Sequence, residues 1–361
     1  MRIAVLGGGH GCYAAAAELS ENGHDVVLWR RDAAALRPVI ESGAITVTDR
    51  AGTRPVPIST IAETLAEAVK GAHLIVLPLP ANSHESLAGQ LAPLLEDGQV
   101  LFMAPGTLGT LVFARAMQAA GNSADVSFAE TGTLPYLVRK NGEASVRISA
   151  YAVRLPTGIF PLRNADRALA IVQAAYPAAE FAGTALSGAL MNIGPIIHPP
   201  LILMNAGPLE HFPSWDIHNE GTQPSIRRVT TALDHERIGM REALGYGPPH
   251  FPLAHHYDPD AEEEWLYSRT SHSELTDSGD WRETIDLLHH RYMTEDCALG
   301  VPLLVSVGRW LGYETPIASA MLSIASAVVG RDLYATGRTL EQVGLASLNR
   351  AEMERTLENG F

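Results

Sequence analysis

Four glycines, Gly7, Gly8, Gly9 and Gly11, stand directly after the aliphatic run Ile3 to Leu6 and before a helical pattern that opens at Cys12. Gly7 suits a tight strand-to-helix turn, and Gly9 lets the backbone approach a pyrophosphate at a helix N-terminus, where amide groups and the helix dipole favour an anion. His10 lies inside the turn. Cys12 takes its third fingerprint position, normally Gly or Ala, and is small enough for close helix-to-strand packing. About 20 residues on, where an acid would bond the ribose 2′-hydroxyl of NAD, the chain reads Leu28-Trp29-Arg30-Arg31-Asp32. Arg30 stands in the place of the acid, and a guanidinium pairs with a 2′-phosphate and stacks on adenine, so NADP(H) is expected over NAD(H). The alternative leaves Arg30 and Arg31 in solvent and Asp32 on the ribose. Pro78, Pro80, Pro105 and Gly106 end two later strands in turns of the kind that line a cofactor crevice.

A second group of residues lies in the other half of the chain. His198 sits in the apolar run Ile196-Ile197-His198-Pro199-Pro200, and a polar side chain in such a place needs a partner. It is either a core histidine bonded to a carbonyl or a chemical group. Asp296 could orient and charge-stabilise it, and Arg291 could bind a carboxylate. Whether they meet depends on the fold. His255-His256-Tyr257-Asp258 with Glu262, Glu263 and Glu264 has no metal-ligand spacing and reads as a solvated loop. His289 and His290 either edge a site or lie on an exposed helical face. Trp265, Tyr267 and Trp281 are candidates for an apolar wall around a substrate.

The elements that must position these groups follow from patterning. The first half alternates short aliphatic strands with helices: strands at Ile3 to Leu6, Asp25 to Trp29, Ala44 to Val47, Leu74 to Leu77, Gln99 to Met103, Val126 to Glu130 and Ser145 to Ser149. Helices are expected at Cys12 to Asn22 and about 60–70, 83–95 and 107–120. This is an α/β, Rossmann-like, doubly wound domain over 1–183. From 184 to 361 the patterns are mostly helical, near 184–206, 225–243, 283–298, 302–311, 316–329 and 350–357, with an irregular excursion between Gly245 and Asp280. The 361 residues suffice for two cores, and the formal charge of −14 disfavours nucleic acid and anionic membrane surfaces as partners. Ala185 to Ala206 is apolar, but Asn192, His198, Pro199, Pro200 and Asn205 interrupt it, so it is read as a core helix rather than a membrane span. Cys12 and Cys297 signal neither a disulfide nor a zinc site, and with no secretory leader expected before the first strand, a cytoplasmic protein is anticipated.

Taken together, the glycine turn, Pro105-Gly106, Glu130-Thr131, His198-Pro199, Asn205-Ala206, Arg291-Tyr292, Glu295-Asp296, Gly337 to Glu341 and Gly344-Leu345 resemble the octopine and nopaline, or opine, dehydrogenases along nearly the whole chain. The resemblance implies His198 and Asp296 as a catalytic pair, Arg291 as the substrate-carboxylate arginine, Asn205 as a further substrate contact and Glu130 as a cofactor contact. It implies NADPH-dependent reductive condensation of an amine with a 2-oxo acid through an imine, by a homodimer. An imine reductase acting on a ketone and a non-amino-acid amine is the alternative. A nucleotide-binding regulator would have no use for the pair. A carbonyl reductase of the ketopantoate or glycerol phosphate type typically uses a lysine, and this chain has only Lys70 and Lys140. One departure stands out: Gly194 occupies the position, four before His198, where an Asn is expected.

Overall fold

The structure is a computed structural model and describes residues 1–258, 265–268 and 282–361. It divides into two units, one of Met1–Leu79, Ser83–Ala189 and Glu354–Phe361, the other of Pro80–Asn82 and Leu190–Met353.

The first unit starts with β1 (Arg2–Leu6), α1 (His10–Glu21) and β2 (Asp25–Trp29), a parallel βαβ unit in register from Arg2 opposite Asp25 to Leu6 opposite Trp29. α2 (Arg37–Ser42), β3 (Ala44–Asp49), β4 (Gly52–Pro57), β5 (Thr60–Ile61) and α3 (Leu65–Val69) follow, then β6 (Leu74–Leu77), α4 (His84–Leu91), β7 (Val100–Met103), α5 (Gly109–Ala119) and β8 (Ser127–Thr131). β9 (Tyr136–Gly142), β10 (Ser145–Tyr151), β11 (Leu155–Phe160), α6 (Ala165–Ala175), β12 (Ala179–Thr184) and α7 (Ala185–Ala189) carry it to Ala189, and the end of the C-terminal helix (Arg350–Asn359) also belongs to it.

Eight strands form the main sheet in the order β12-β11-β8-β7-β6-β1-β2-β5, parallel throughout except where β11 runs against β8. Its central strands β1, β6 and β7 are almost unbroken aliphatic runs because helices cover both faces. The strand order reverses between β1 and β6, and the crevice beyond their carboxyl ends is where doubly wound sheets bind nucleotides. Ala14 to Ala17 are all buried, so the small side chains let α1 pack closely on the sheet.

Two strands expected in the main sheet lie elsewhere. β3 and β10 pair with β4 and β9 in a separate mixed sheet of order β4-β3-β10-β9. The helix expected over 60–70 starts only at Leu65, where a reciprocal capping box joins Thr64 and Glu67 and satisfies the first-turn amides. α7 groups with the first unit, and Gly158 of β11 and Gly188 of α7 touch. A Cβ on Gly158 would stand 2.6 Å from the Gly188 nitrogen.

The second unit is mainly helical: α8 (Gly194–Met204), α9 (Ala206–His211), the small ribbon β13 (Trp215–Asp216) with β14 (Arg282–Glu283), α10 (Pro224–Ala243), α11 (Ala254–Tyr257), α12 (Tyr292–Gly300), α13 (Val301–Leu311), α14 (Pro316–Val329) and α15 (Leu333–Thr336). The single helix expected over 184–206 is broken between α7 and α8. The one expected over 283–298 begins only at the end of that span, as α12, wound as a π-helix. π-helical turns are rare and occur most often at functional sites. α8 packs against α10, α12 and α14, and the apolar stretch Ala185–Met204 is largely buried in the protein. Glu236 of α10 accepts from the Ile317 and Ala318 amides at the start of α14, at 2.6 and 2.9 Å, which ties two of the helices around α8 together.

Candidate functional site

In the first unit the glycine turn has two kinds of glycine. Gly7 has φ +121°, a conformation that suits glycine, and a Cβ there would collide with Leu79 and Cys12. Gly9, the N-cap residue just before α1, faces open space, with no heavy atom within 4 Å of where its Cβ would be. A backbone bared in this way at a helix N-terminus fits a dinucleotide pyrophosphate. Gly11 fits against Pro78 and Leu134, so a larger residue would separate the helix from the turn after β6. The Cys12 thiol lies within 3.6 Å of Leu6 O and 3.7 Å of Pro78 O, joining the ends of β1 and β6, and burial pushes it up to about 12. It is a packing thiol.

Beside the turn, a cleft of about 200 Å³ is lined by Gly7, Arg30, Arg31, Asp32 and Ser83 among others. Both arginines and the acid thus border one space. The Arg30 side chain covers Gly8, whose Cβ would meet it at 2.4 Å. Lys140 of β9 places its ammonium 3.8 Å from the centre of the Tyr13 ring, and its backbone amide donates to His10 Nδ1 at 3.3 Å. Burial and the nearby Arg30 charge hold the Lys140 ammonium below its ordinary range. Two cations that repel each other beside a phosphate turn form a site that an anion would stabilise. Lys140 was not singled out in the sequence.

Other expected cofactor contacts have different tasks. The Glu130 carboxylate is fully buried and accepts from Leu108 N at 2.8 Å and Thr110 Oγ1 at 2.7 Å, holding the left-handed turn that starts α5. Gly106 packs on that carboxylate, since a Cβ there would overlap it, while Pro105 follows a cis peptide bond in the same turn. Glu130 thus helps to shape the turn. Pro80 groups with the second unit, where the neighbouring Ala81 donates its amide to Glu295 Oε1 at 2.9 Å and accepts from Arg338 at 2.9 Å.

In the second unit, His198 Nδ1 and Asp296 Oδ2 are 2.7 Å apart. The aspartate is nearly enclosed and the imidazole more open, with side chains 5% and 14% exposed. Two glycines allow this contact. A Cβ on Gly194 would stand 2.4 Å from Asp296 Oδ1, and one on Gly300 would stand 2.2 Å from Pro195 Cγ. Gly194 lies four residues before His198 and Gly300 four after Asp296, so each glycine shares a face with the residue it serves. The position that reads as a missing polar contact is the point where α12 approaches α8. Asn192 lies beside it and accepts from Gly194 N at 2.9 Å.

Burial pushes the Asp296 carboxyl up to about 7, against the opposing pull of Arg291. Burial also raises Glu295, again opposed by Arg291. Arg291 Nε lies 3.6 Å from Glu295 Oε2, and about half of the arginine side chain is exposed. Tyr267, buried nearby, is among the groups that favour the Arg291 charge. Tyr292 stacks on His198 with ring centres 3.7 Å apart and planes 9° from parallel. Its hydroxyl is 2.7 Å from His218 Nε2. His290 meets the Tyr292 ring edge-on at 4.4 Å, whereas His289 is exposed and paired with Asp286. Tyr292, His218 and Glu295 are site residues whose roles the sequence did not signal.

Asn205 and Trp265, both expected at the substrate, have partners within the protein. Asn205 is buried, with Nδ2 donating to Leu201 O at 2.8 Å and Gly221 O at 3.1 Å, while Oδ1 accepts from Trp215 Nε1. It ties the end of α8 to the loop that carries His218. Trp265 is also buried, 4.5 Å from the His256 ring, with its indole N–H directed at Phe251 O, which is a packing arrangement. Trp281 and Glu262 to Glu264 lie outside the described residues. Among the described residues, no group of three or more His, Cys, Asp or Glu could hold a metal ion.

Two family models match separate stretches of the chain. Residues 181–329 match the family model for the alpha-helical domain of NAD/NADP octopine/nopaline dehydrogenase, and residues 2–106 match that for the N-terminus of NAD-dependent glycerol-3-phosphate dehydrogenase. An opine dehydrogenase from Arthrobacter sp. (strain 1C) is 27% identical over 98% of both chains. Octopine dehydrogenase solved with NADH and agmatine shares the fold with TM-score 0.73 at 18% identity, over 98% of each chain. Yersinopine dehydrogenase with NADP+ does so with TM-score 0.64 at 15% identity, over 99% of this chain and 97% of that one. The helical domain is thus of the octopine/nopaline dehydrogenase family, and the chain is an NAD(P)-dependent oxidoreductase of that type.

Proposed function

We propose that this oxidoreductase uses NADPH to join an amine, in the first instance an amino acid, to a 2-oxo acid, reducing the imine between them to a secondary amine. The observation that carries the reading is the His198–Asp296 contact at 2.7 Å, with Arg291 on the turn that leads into the same π-wound element. When bound, the nicotinamide supplies the hydride for the imine carbon.

The residues of the chain handle carboxylate and protons. Arg291 offers a guanidinium, oriented through its Nε by Glu295, to the carboxylate of the oxo acid. With Nδ1 on Asp296, His198 exchanges protons through Nε2. It accepts one as the amine attacks the carbonyl and returns one to the hydroxyl that leaves as water. Asp296 fixes the ring and stabilises the imidazolium that forms between those steps. The Arg30 and Lys140 cations support NADPH over NADH, because a 2′-phosphate would neutralise charge that otherwise repels. Arg291 favours a 2-oxo acid over a simple ketone.

The test is NADPH oxidation with pyruvate and a panel of amino acids and simple amines, run beside His198→Ala. An acid/base histidine contributes about 10²–10⁴-fold, so kcat should fall by that much while NADPH still binds. Near-normal turnover in His198→Ala would overturn the role. Equal activity with acetone and pyruvate would overturn the 2-oxo acid assignment.

A further inference from the structure

Tyr292 and Asp296 lie four positions apart on α12 and reach the same imidazole from two directions. Asp296 holds the ring edge at Nδ1, and Tyr292 lies flat across the ring face, 3.7 Å from its centre. Closely superposed parallel rings are not the arrangement aromatic pairs prefer when left to themselves, which is offset or edge-to-face. Here the phenol is held from its far end. Its hydroxyl is bonded to His218 Nε2, and the His218 ring stands edge-on to both Tyr292 and His198, at 5.9 and 6.4 Å.

His218 is itself anchored. Its backbone amide donates to Asp216 Oδ1 at 3.2 Å, and Asp216 pairs with Arg282 in the β13–β14 ribbon. Asn205 ties that loop to α8 through Gly221 O and Trp215. A connected set of contacts therefore runs from the end of α8 through the loop to the phenol and back to the face of His198.

We infer that Tyr292 is a positioning residue that clamps the face of His198, and that His218 sets the clamp by holding the phenol hydroxyl. The inference rests on His198 being the acid/base. Two constraints then fix the imidazole. Asp296 prevents rotation in the ring plane, and Tyr292 prevents tilting out of it, so Nε2 keeps one direction through both proton transfers. A displacement of about 1 Å in a reacting group can cost about 10²-fold, which sets the scale of the effect.

The experiment compares Tyr292→Leu, Tyr292→Phe, His218→Leu and the Tyr292→Phe/His218→Leu double variant in steady state with pyruvate, the best amino acid and NADPH. Tyr292→Leu should lower kcat by about 10–100-fold, with KM for pyruvate and NADPH within about 2-fold of wild type. Tyr292→Phe keeps a ring at this place but releases it from His218, so its kcat should fall between those of Tyr292→Leu and wild type and match that of His218→Leu. If His218 acts through the phenol hydroxyl, the double variant should be no slower than His218→Leu alone. Melting temperature and NADPH fluorescence titration establish that each variant folds. If Tyr292→Leu does not fold, the remaining three carry the test through their non-additivity.

Wild-type kcat in a folded Tyr292→Leu, wild-type kcat in both Tyr292→Phe and His218→Leu, or additive losses in the double variant would overturn the clamp. If His198→Ala itself stayed active, the underlying acid/base reading would fail instead, so the two failures are distinguishable.

Discussion

At the phosphate turn a Cβ on Gly9 would meet nothing within 4 Å, whereas beside the histidine pair a Cβ on Gly194 would stand 2.4 Å from Asp296 Oδ1. The first glycine keeps a space open and the second lets two helices close one. The turn is built from neighbours in sequence, while the pair is built from residues 98 positions apart that meet only because α8 and α12 approach closely. The proposed cofactor turn and the proposed proton-transfer pair belong to different units, so on that reading they should fail independently. Gly194→Ala should force Asp296 from the imidazole and lower kcat by about 10²-fold, leaving NADPH affinity unchanged. Gly9→Ala should do the reverse, weakening NADPH binding with kcat at saturation preserved. Steady-state kinetics with fluorescence titration checks both, and a loss of cofactor affinity in Gly194→Ala would break the comparison.

The same difference explains what could be read from the sequence. The βαβ opening was legible because Ile3 to Leu6, the glycines and Asp25 to Trp29 carry their pattern locally, and the register Leu6 to Trp29 follows from it. β9 was not, since Arg139-Lys140-Asn141 interrupts any apolar alternation, and β4 was hidden by Pro55 and Pro57, which an edge strand tolerates. Pro156 and Gly158 masked β11 in the same way. His198 and Asp296 could be named as partners only through resemblance, because no local pattern reports a contact between distant helices. Glu130 and Asn205 show a structural use of polar residues that the sequence does not signal. A polar residue near a site reads as a ligand contact, yet buried backbone amides and carbonyls also need partners, and these two side chains supply them.

Cofactor choice sharpens the contrast at a smaller scale. Arg30 covers Gly8 and borders the cleft that Arg31 and Asp32 also line. A hydrogen bond to a charged group is worth about 1.5–3 kcal/mol, so Arg30→Ser should raise KM for NADPH about 10–100-fold while KM for NADH changes little. kcat with either cofactor should stay within about 2-fold, because the proton-handling residues lie in the other unit. Parallel titration with NADPH and NADH measures it. A wild-type preference for NADH that survives the substitution would remove Arg30 from cofactor selection.

The smallest expected effects are on stability, and there the two units differ in sign. In the first unit, Asp49 is held down to about 2, chiefly by the Arg54 guanidinium and also by the Tyr151 hydroxyl. Its folded state binds fewer protons than the unfolded chain, so this contribution is present above about pH 4 and is lost as pH falls towards 2. With Arg54 about one-third exposed, the contribution is about 1 kcal/mol after solvent screening. In the second unit, burial pushes Asp296 up to about 7. Its folded state keeps a proton that the unfolded chain releases near pH 4, so stability falls as pH rises from about 4 to 7. Asp296→Asn removes the titration and should melt above wild type at pH 8, with the gap closing towards pH 5. Asp49→Asn should melt below wild type at pH 7, with that gap closing towards pH 3. Calorimetric melts across this range read both slopes. A gap between Asp296→Asn and wild type that did not change from pH 5 to 8 would mean that the imidazolium holds the carboxylate ionised throughout. The pair would then be a preformed ion pair, and the acid/base cycle would begin from the charged histidine.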